Sequence, residues 1–186
     1  MAEFIADFTI DILKDKLRNT RLDYIELQED MAYKHAPMIS PTMFRKFLAP
    51  HYRRVIDFLK RNGVRLVYVD CDGDPGGLIS EWINVGVDGM SPVEIAAGCD
   101  PLSIRKMYPR FFMMGGIDKR VITMRKIDIY SEVMNKVPVL LEQGGFIPHI
   151  DHAIPHDIPL LNYMYYRELL TRVVYGECVF PPGDPD

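Results

Sequence analysis

The chain has 186 residues, of which 48% are hydrophobic, and a formal net charge of -4. This length and apolar content suit one folded domain with a sizeable core and exclude an intrinsically disordered chain. The charge disfavours nucleic acid as a partner, and no apolar run approaches the roughly 20 residues that span a bilayer. The first residues, MAEFIADF, carry acids where a signal peptide carries basic residues, so we expect a cytoplasmic protein.

Helical and strand patterns alternate along the chain. Helices are predicted where apolar residues recur every three or four positions, and strands where short apolar runs end at glycine or an acid. Ser40-Pro41 and Asp100-Pro101 are typical helix starts, because the first residue caps the helix and proline fits its first turn. We expect Pro138 to kink or break the helix that contains it. In chain order the predicted elements are a helix to Asn19, a strand at 22–27, a helix from Ser40 to Gly63, a strand at 64–70, a helix at 77–85, a strand at 87–94, a helix from Asp100, a strand at 111–118, a helix from Ile127 to Gly144, a strand at 146–151 and a helix from Pro159.

This alternation, with about five strands, predicts an α/β fold with a mostly parallel sheet and right-handed crossovers. No Gly-x-Gly-x-x-Gly follows a strand and no Walker-type loop occurs, which disfavours dinucleotide and P-loop nucleotide binding. An acid closes each strand, and the carboxyl ends of parallel strands form the functional edge of such folds. Caps of helix N-termini are the alternative role for these acids. The acids are Glu29 or Asp30, Asp70, Glu94, Asp118 and Asp151.

The segment VYVDCDGD (67–74) is the strongest candidate for chemistry. Asp70 and Asp72 are two residues apart, so on a strand they share a face, and Gly73 permits a sharp turn after them. A solvated turn would explain the same residues, since Asp and Gly are common turn formers. Two carboxylates held close together either bind a cation or raise one another's pKa, which suits proton transfer.

Three stretches resemble the uroporphyrinogen decarboxylase superfamily: EDMAYKHAPMISPTMFRKFLAPHYRRVIDFLK (29–60), GGIDKR (115–120) and GGFIPHIDHAIPHDIPLLN (144–162). That superfamily includes the decarboxylase and the zinc-dependent methyltransferases that exchange methyl groups between corrinoids and thiols. The resemblance implies a TIM-barrel-like (β/α)8 fold. Residues 1–176 would form its C-terminal half, a partial barrel of about five β/α units, and 177–186 a polar tail.

Because five strands cannot close an eight-stranded barrel, the resemblance also implies an incomplete chain or a partner. We expect either a fragment, or association with a copy of the same chain, or association with a separate N-terminal half. The arginines and the central aspartate with which the decarboxylases hold their substrate fall in that N-terminal half.

The resemblance adds a third residue to the candidate site. His152 lies where the decarboxylases have a histidine and the methyltransferases have a zinc-binding cysteine. Asp70 and Asp72 lie where the methyltransferases have a His-x-Cys zinc pair. We expect these three residues to form the catalytic site and, if a divalent metal is present, to bind zinc or a harder ion.

The leading hypothesis is an enzyme like uroporphyrinogen decarboxylase, a lyase that acts on a tetrapyrrole-related or methylated small molecule. Decarboxylation implies no cofactor, because carboxylates would protonate a pyrrole and stabilise its cation. The alternatives are a metal-dependent methyltransferase with a corrinoid partner, and a non-catalytic half-barrel that binds a partner chain. For the basic residues, salt bridges to neighbouring acids are the alternative to substrate contact. The residues expected to contact the substrate are Glu29, Asp30, Glu94, Asp118, Lys119 and Arg120.

Overall fold

The computed structural model describes residues 1–183, and in it helices and strands alternate as the sequence predicts. Short 310 turns follow two of the strands, at Ile95–Ala97 and Lys119–Thr123. The helices and strands are α1 (Ala2–Asn19), β1 (Tyr24–Gln28), β2 (Ala32–Tyr33), β3 (Ala36–Pro37), α2 (Pro41–Phe47), α3 (Ala49–Arg61), β4 (Leu66–Asp70), α4 (Leu78–Val85), β5 (Gly89–Val93), α5 (Pro101–Met107), β6 (Phe112–Ile117), α6 (Lys126–Gln143), β7 (Phe146–Ile150) and α7 (Leu160–Val174).

Five of these strands form a parallel sheet in the order β1-β4-β5-β6-β7. The two-residue strands β2 and β3 form a separate antiparallel hairpin in the connection after β1. The α/β class and the parallel sheet are therefore confirmed. The five strands of the described chain are fewer than the eight of a TIM barrel and do not close one, so the fold is a partial barrel.

Two predicted helices have different limits from those expected. The helix predicted from Ser40 is two helices, α2 and α3, which meet at Leu48. Pro50 has no backbone N–H and fits only the first turn of a helix, so a new helix begins there. By contrast, α6 continues through Pro138 to Gln143, and the expected break is wrong. Buried apolar residues on both sides of this proline hold the helix in place.

The chain divides into two compact units, Met1–Ser91 and the residues from Pro92 onward. In the first unit α1 contacts α3, α3 contacts α4, and the core includes the fully buried side chains of Val67, Val69 and Trp82. In the second unit α6 contacts both α7 and β7. Each unit therefore has apolar residues buried between its strands and its own helices.

Two further expectations concern the tail and the membrane. The predicted polar tail at 177–186 contains neither helix nor strand in its described part, and residues 184–186 lie outside the described residues. Within residues 1–183, no helix combines the length and the apolar character that crossing a bilayer demands.

Candidate functional site

The first unit presents a polar face on β1 and β4, which pair in parallel. Leu27 lines a cavity together with residues of α1 and α3, so it turns towards the helices. Successive side chains of a strand point to opposite faces, so Glu26 and Gln28 turn away from the helices. The strand register sets Glu26 opposite Tyr68 and Gln28 opposite Asp70. In a barrel, the face without helices is the one that lines the interior.

Hydrogen bonds and ring packing order this polar face. The Tyr68 hydroxyl donates to Glu26 Oε2 at 2.6 Å, and burial together with this bond raises the pKa of Tyr68. The Tyr24 and Tyr68 ring centroids lie 5.9 Å apart. The face therefore combines aromatic rings with oxygen acceptors, which suits a flat ligand that carries N–H groups.

Asp70 ends β4 on this face and is half-buried. Burial raises the pKa of its carboxyl, and the negative charges of Glu26, Asp72 and Asp30 raise it further. A side-chain hydrogen bond with Gln28 acts in the opposite direction and is the weakest of these effects. The surroundings of Asp70 therefore favour its protonated form, which is the form that donates a proton.

The turn after Asp70 is held by the side chain of Asp30 and by backbone contacts with the β2-β3 hairpin. The Asp72 N–H donates to Asp30 Oδ1 at 3.4 Å, and the Asp74 N–H donates to the Tyr33 carbonyl at 3.0 Å. Gly73 has a φ of +84°, and a Cβ at this position would lie 2.7 Å from the Tyr33 carbonyl oxygen. Only glycine fits so close to the hairpin backbone, so this packing fixes the turn beside the end of β4.

Cys71 lies between the two aspartates in sequence, but its side chain is fully buried. Its thiol contacts the Asp72 carbonyl oxygen at 3.4 Å. Burial raises the pKa of the Cys71 thiol to about 11, so the thiolate is scarce at neutral pH. At the end of β4 the groups available for chemistry or metal binding are therefore carboxylates, because Cys71 supplies no reactive thiolate.

The neighbouring acids Glu29 and Asp30 lie in different environments. Asp30 is exposed and bonds the turn that carries Asp72. Glu29 turns into the cavity between α1, β1 and α3, and burial raises the pKa of its carboxyl. The Glu29 N–H donates to the Asp70 carbonyl at 2.8 Å. The structure thus brings Asp30, Asp70 and Asp72 together. The Glu29 side chain lies on the opposite side of the sheet, which faces the helices.

The second unit has its own group of charged side chains, built around Asp151. The Asp151 side chain is fully buried and accepts hydrogen bonds from the Ala96 N–H at 3.0 Å and the Lys119 N–H at 3.2 Å. The Lys119 ammonium lies 3.5 Å from Asp151 and 3.3 Å from Glu94. One carboxylate therefore joins the chain segments that follow β5, β6 and β7.

Asp118 and Arg120 form a second pair in this unit. The Asp118 carboxylate accepts bonds from the Arg120 backbone N–H at 2.9 Å and from its guanidinium at 2.7 Å. Burial raises the pKa of Asp118, but the hydrogen bonds and charge of Arg120 outweigh burial and hold this pKa below its ordinary value. The Asp118 N–H in turn donates to Glu132 Oε1 at 2.9 Å. Both basic residues expected to contact a substrate, Lys119 and Arg120, thus pair with neighbouring acids.

His152 follows the buried Asp151 and is exposed on the second unit. Asp70 and Asp72 belong to the first unit, so convergence of these three residues on one catalytic or metal site stays a prediction. Within residues 1–183, no group of three His, Cys, Asp or Glu side chains is close enough to hold a metal ion. The sequence pattern singled out His152 for chemistry and treated Asp151 only as the acid that closes β7, although Asp151 organises the strand ends.

Comparisons with known proteins agree with the fold described above. The family model for uroporphyrinogen decarboxylase (URO-D) matches residues 1–173. A solved structure of a methyltransferase from Methanosarcina mazei is similar, with a TM-score of 0.60 and 17% sequence identity. The similarity covers 90% of this chain and 47% of the methyltransferase, so this chain spans about half the length of that protein. At this identity the likeness establishes a shared fold. The comparison with curated proteins found no match.

Proposed function

Because the chain belongs to the uroporphyrinogen decarboxylase family, we propose that it supplies acidic strand ends to a barrel that decarboxylates a tetrapyrrole-related substrate. The observation that carries this proposal is Asp70, a half-buried carboxyl whose pKa is raised by burial and by the acids around it. Removal of CO2 from a side chain on a pyrrole begins with protonation of the ring, so the reaction needs a proton donor, and a raised pKa makes a carboxyl better suited to that role. This chemistry requires no cofactor.

In the proposed reaction Asp70 donates one proton and later takes it back. Asp70 protonates the ring carbon next to the one that bears the acidic side chain, and the ring becomes a cation. The bond to the carboxylate breaks, CO2 leaves, and the electron pair of that bond neutralises the cation as an exocyclic double bond. The methylene carbon then takes a proton that comes from solvent, and the ring carbon returns its proton to Asp70. One proton is consumed for each CO2 released, and the Asp70 carboxylate stabilises the cation between the two transfers.

The polar face of β1 and β4 supports a pyrrole as the substrate. The oxygens of Glu26 and Gln28 accept hydrogen bonds from ring N–H groups, and the rings of Tyr24 and Tyr68 offer flat apolar surface. Negative charge on the same face repels carboxylates of the substrate, so cationic groups that bind those carboxylates must come from elsewhere. We propose that a second half-barrel carries these cationic groups.

Association is part of the proposal for two reasons. The chain spans about half the length of the methyltransferase with which it shares a fold. Strand β1 is an edge strand, with β4 as its only neighbour among the described strands. We propose that this edge pairs with a further strand, which comes from the rest of a longer chain, from a copy of this chain or from a separate N-terminal half.

The test is an assay of the complex purified from native cells through a tag on this chain. We expect the complex to bind a uroporphyrinogen-type substrate and release CO2. Asp70→Asn should retain binding within a few-fold and lose at least about 100-fold in rate, as expected when a proton donor is removed. The matched control is Asp57→Asn, which changes an exposed acid on α3 and should leave the rate unaffected.

The alternatives predict different outcomes of the same experiment. Bound metal in stoichiometric amount that is lost in Asp72→Ala, together with methyl transfer to a thiol, would establish the methyltransferase instead. A stable complex that neither binds the tetrapyrrole nor transfers methyl groups would establish a non-catalytic half-barrel. Either result overturns the decarboxylase proposal.

A further inference from the structure

Glu26 is exposed on the polar face of β1, opposite Tyr68 of β4. A glutamate that protrudes from a strand turns among several side-chain rotamers, and it loses this freedom when a ligand binds to it. Binding is therefore stronger when a neighbouring group already holds such a side chain in one conformation. In this protein the hydroxyl of Tyr68 contacts Glu26 in a way that can do so.

Tyr68 is a rigid hydrogen-bond donor. Its side chain is only 6% exposed, and its ring lies against that of Tyr24. The hydroxyl donates to Glu26 Oε2 at 2.6 Å, the short distance that is typical of a hydroxyl bound to a carboxylate. Burial and this bond raise the pKa of Tyr68, so the phenol keeps its proton at neutral pH and remains the donor of the pair.

The two oxygens of Glu26 thereby have different roles. Oε2 accepts from Tyr68, and Oε1 is left to accept from a ligand. A carboxylate oxygen forms a hydrogen bond with a ring N–H, whereas the ring oxygen of a furan has no hydrogen to donate. The pair therefore favours rings that carry N–H groups, a preference that the aromatic surface of the same face does not provide by itself.

We propose that Tyr68 is a positioning residue, which holds the Glu26 carboxylate in place so that Oε1 accepts a hydrogen bond from a ring N–H of the substrate. The substrate class in this inference rests on the proposed decarboxylase function. The inference assigns Tyr68 and Glu26 to substrate binding, separately from the proton transfer assigned to Asp70.

The probe is dipyrromethane, two pyrrole rings joined by one carbon, titrated into the purified chain and followed by backbone amide NMR shifts. We expect a dissociation constant on the order of 1 mM, in line with the small size of the ligand, and shifts centred on β1 and β4. The matched probe is 2,2'-difurylmethane, which has the same shape but an oxygen in place of each N–H. It should bind about tenfold more weakly, the loss expected for one hydrogen bond.

Variants test whether Tyr68 acts through Glu26. Tyr68→Phe removes only the hydroxyl, so it should weaken dipyrromethane about three- to tenfold and leave difurylmethane within twofold. Glu26→Ala should weaken dipyrromethane at least as much, and Tyr68→Phe should have no further effect in the Glu26→Ala background. Tyr175→Phe removes an exposed hydroxyl on the second unit and is the matched control. Circular dichroism checks that each variant folds.

The same variant has a kinetic signature in the complex that releases CO2. Tyr68→Phe should raise KM by the same three- to tenfold and leave kcat within twofold, because it weakens binding of the substrate and leaves the proton donor intact. Asp70→Asn should show the reverse pattern. A purely structural role of Tyr68 would instead lower kcat and stability without a preference between the two probes.

Failure of this inference is distinct from failure of the proposed function. Absence of CO2 release, together with Tyr68-dependent binding of dipyrromethane, would overturn the decarboxylase and leave the binding role of Tyr68 intact. Four results would overturn the role of Tyr68. They are equal affinities for the two probes, an unchanged affinity for dipyrromethane in Tyr68→Phe, a further loss from Tyr68→Phe in the Glu26→Ala background, and no shift on β1 or β4 up to about 10 mM dipyrromethane.

Discussion

Asp70 ends β4 in the first unit and Asp118 follows β6 in the second, and the pKa values of these two aspartates move in opposite directions. Both are withdrawn from solvent, and burial raises both pKa values. Around Asp70 the neighbouring charges are negative and add to this effect, whereas the cation of Arg120 reverses it at Asp118. An acid at a strand end is therefore not a site by itself, because the charge of its neighbours decides whether its pKa is raised or lowered.

The two units also differ in how their strand ends are held. In the second unit charged side chains hold the strand ends together, above all Asp151 with Lys119. In the first unit the end of β4 is held mainly by backbone contacts, such as the hydrogen bond from the Cys71 N–H to the Ser91 carbonyl at 2.7 Å and the close approach of Gly73 to the hairpin, with one bond to the Asp30 side chain. At the end of β4 no basic side chain pairs with Asp70 among the causes that shift its pKa, whereas Asp118 and Asp151 of the second unit pair with Arg120 and Lys119. Substitutions in both units test this contrast.

The largest effect is expected from Asp151→Ala in the second unit. The change removes the acceptor of two backbone N–H groups and one anionic neighbour of Lys119, all at a fully buried position. We expect the free energy of unfolding to fall by about 3 kcal/mol. Urea denaturation measures it, with Asp157→Ala in the exposed loop as the control. An unchanged midpoint would show that this carboxylate does not hold the strand ends.

Asp118→Ala should have a smaller effect of the same sign. The variant loses the cap of the 310 turn and the bond to the half-exposed Arg120, and the exposed partner adds little, so we expect about 1 to 2 kcal/mol. Because the folded pKa of Asp118 is depressed, its stabilisation is present above the ordinary value of 3.8 and is lost as pH falls. The stabilities of wild type and variant should therefore converge in acid. A difference that persists at pH 2 would contradict this cause.

Much of the fold follows from the sequence because its signals are local. The cap predicted at Ser40 is present, with its hydroxyl accepting from the Met43 N–H at 3.2 Å, and each predicted strand lies within a few residues of its place. The β2-β3 hairpin carries no such signal. Its strands have two residues each, too short for a period, and its position depends on contact with Gly73, which is distant in sequence.

The site was less predictable, since burial depends on residues that are far apart in the chain. The alternation of Asp70 and Asp72 was visible in sequence, but the partners of Asp151 lie 55 and 32 residues away. The opposite directions of Glu29 and Asp30 depend on the residue at which β1 ends. A shift of one residue at a strand end exchanges the two faces, and sequence patterns do not define strand ends that closely.

The smallest effect, and the one of opposite sign, is expected from Asp70→Asn. The folded pKa of Asp70 is raised, so the folded state binds its proton more tightly than the unfolded state, and ionisation disfavours folding as pH rises above 3.8. Asparagine removes this penalty. We expect the variant to be more stable than wild type by about 0.5 kcal/mol at pH 7, a value kept small by solvent screening, and equal to it near pH 3. Urea denaturation across this pH range measures the difference, with Asp57→Asn as the exposed control. A variant that is less stable at pH 7 would mean that favourable contacts hold Asp70 as they hold Asp118, and the contrast between the two units would no longer support the proposed proton donor.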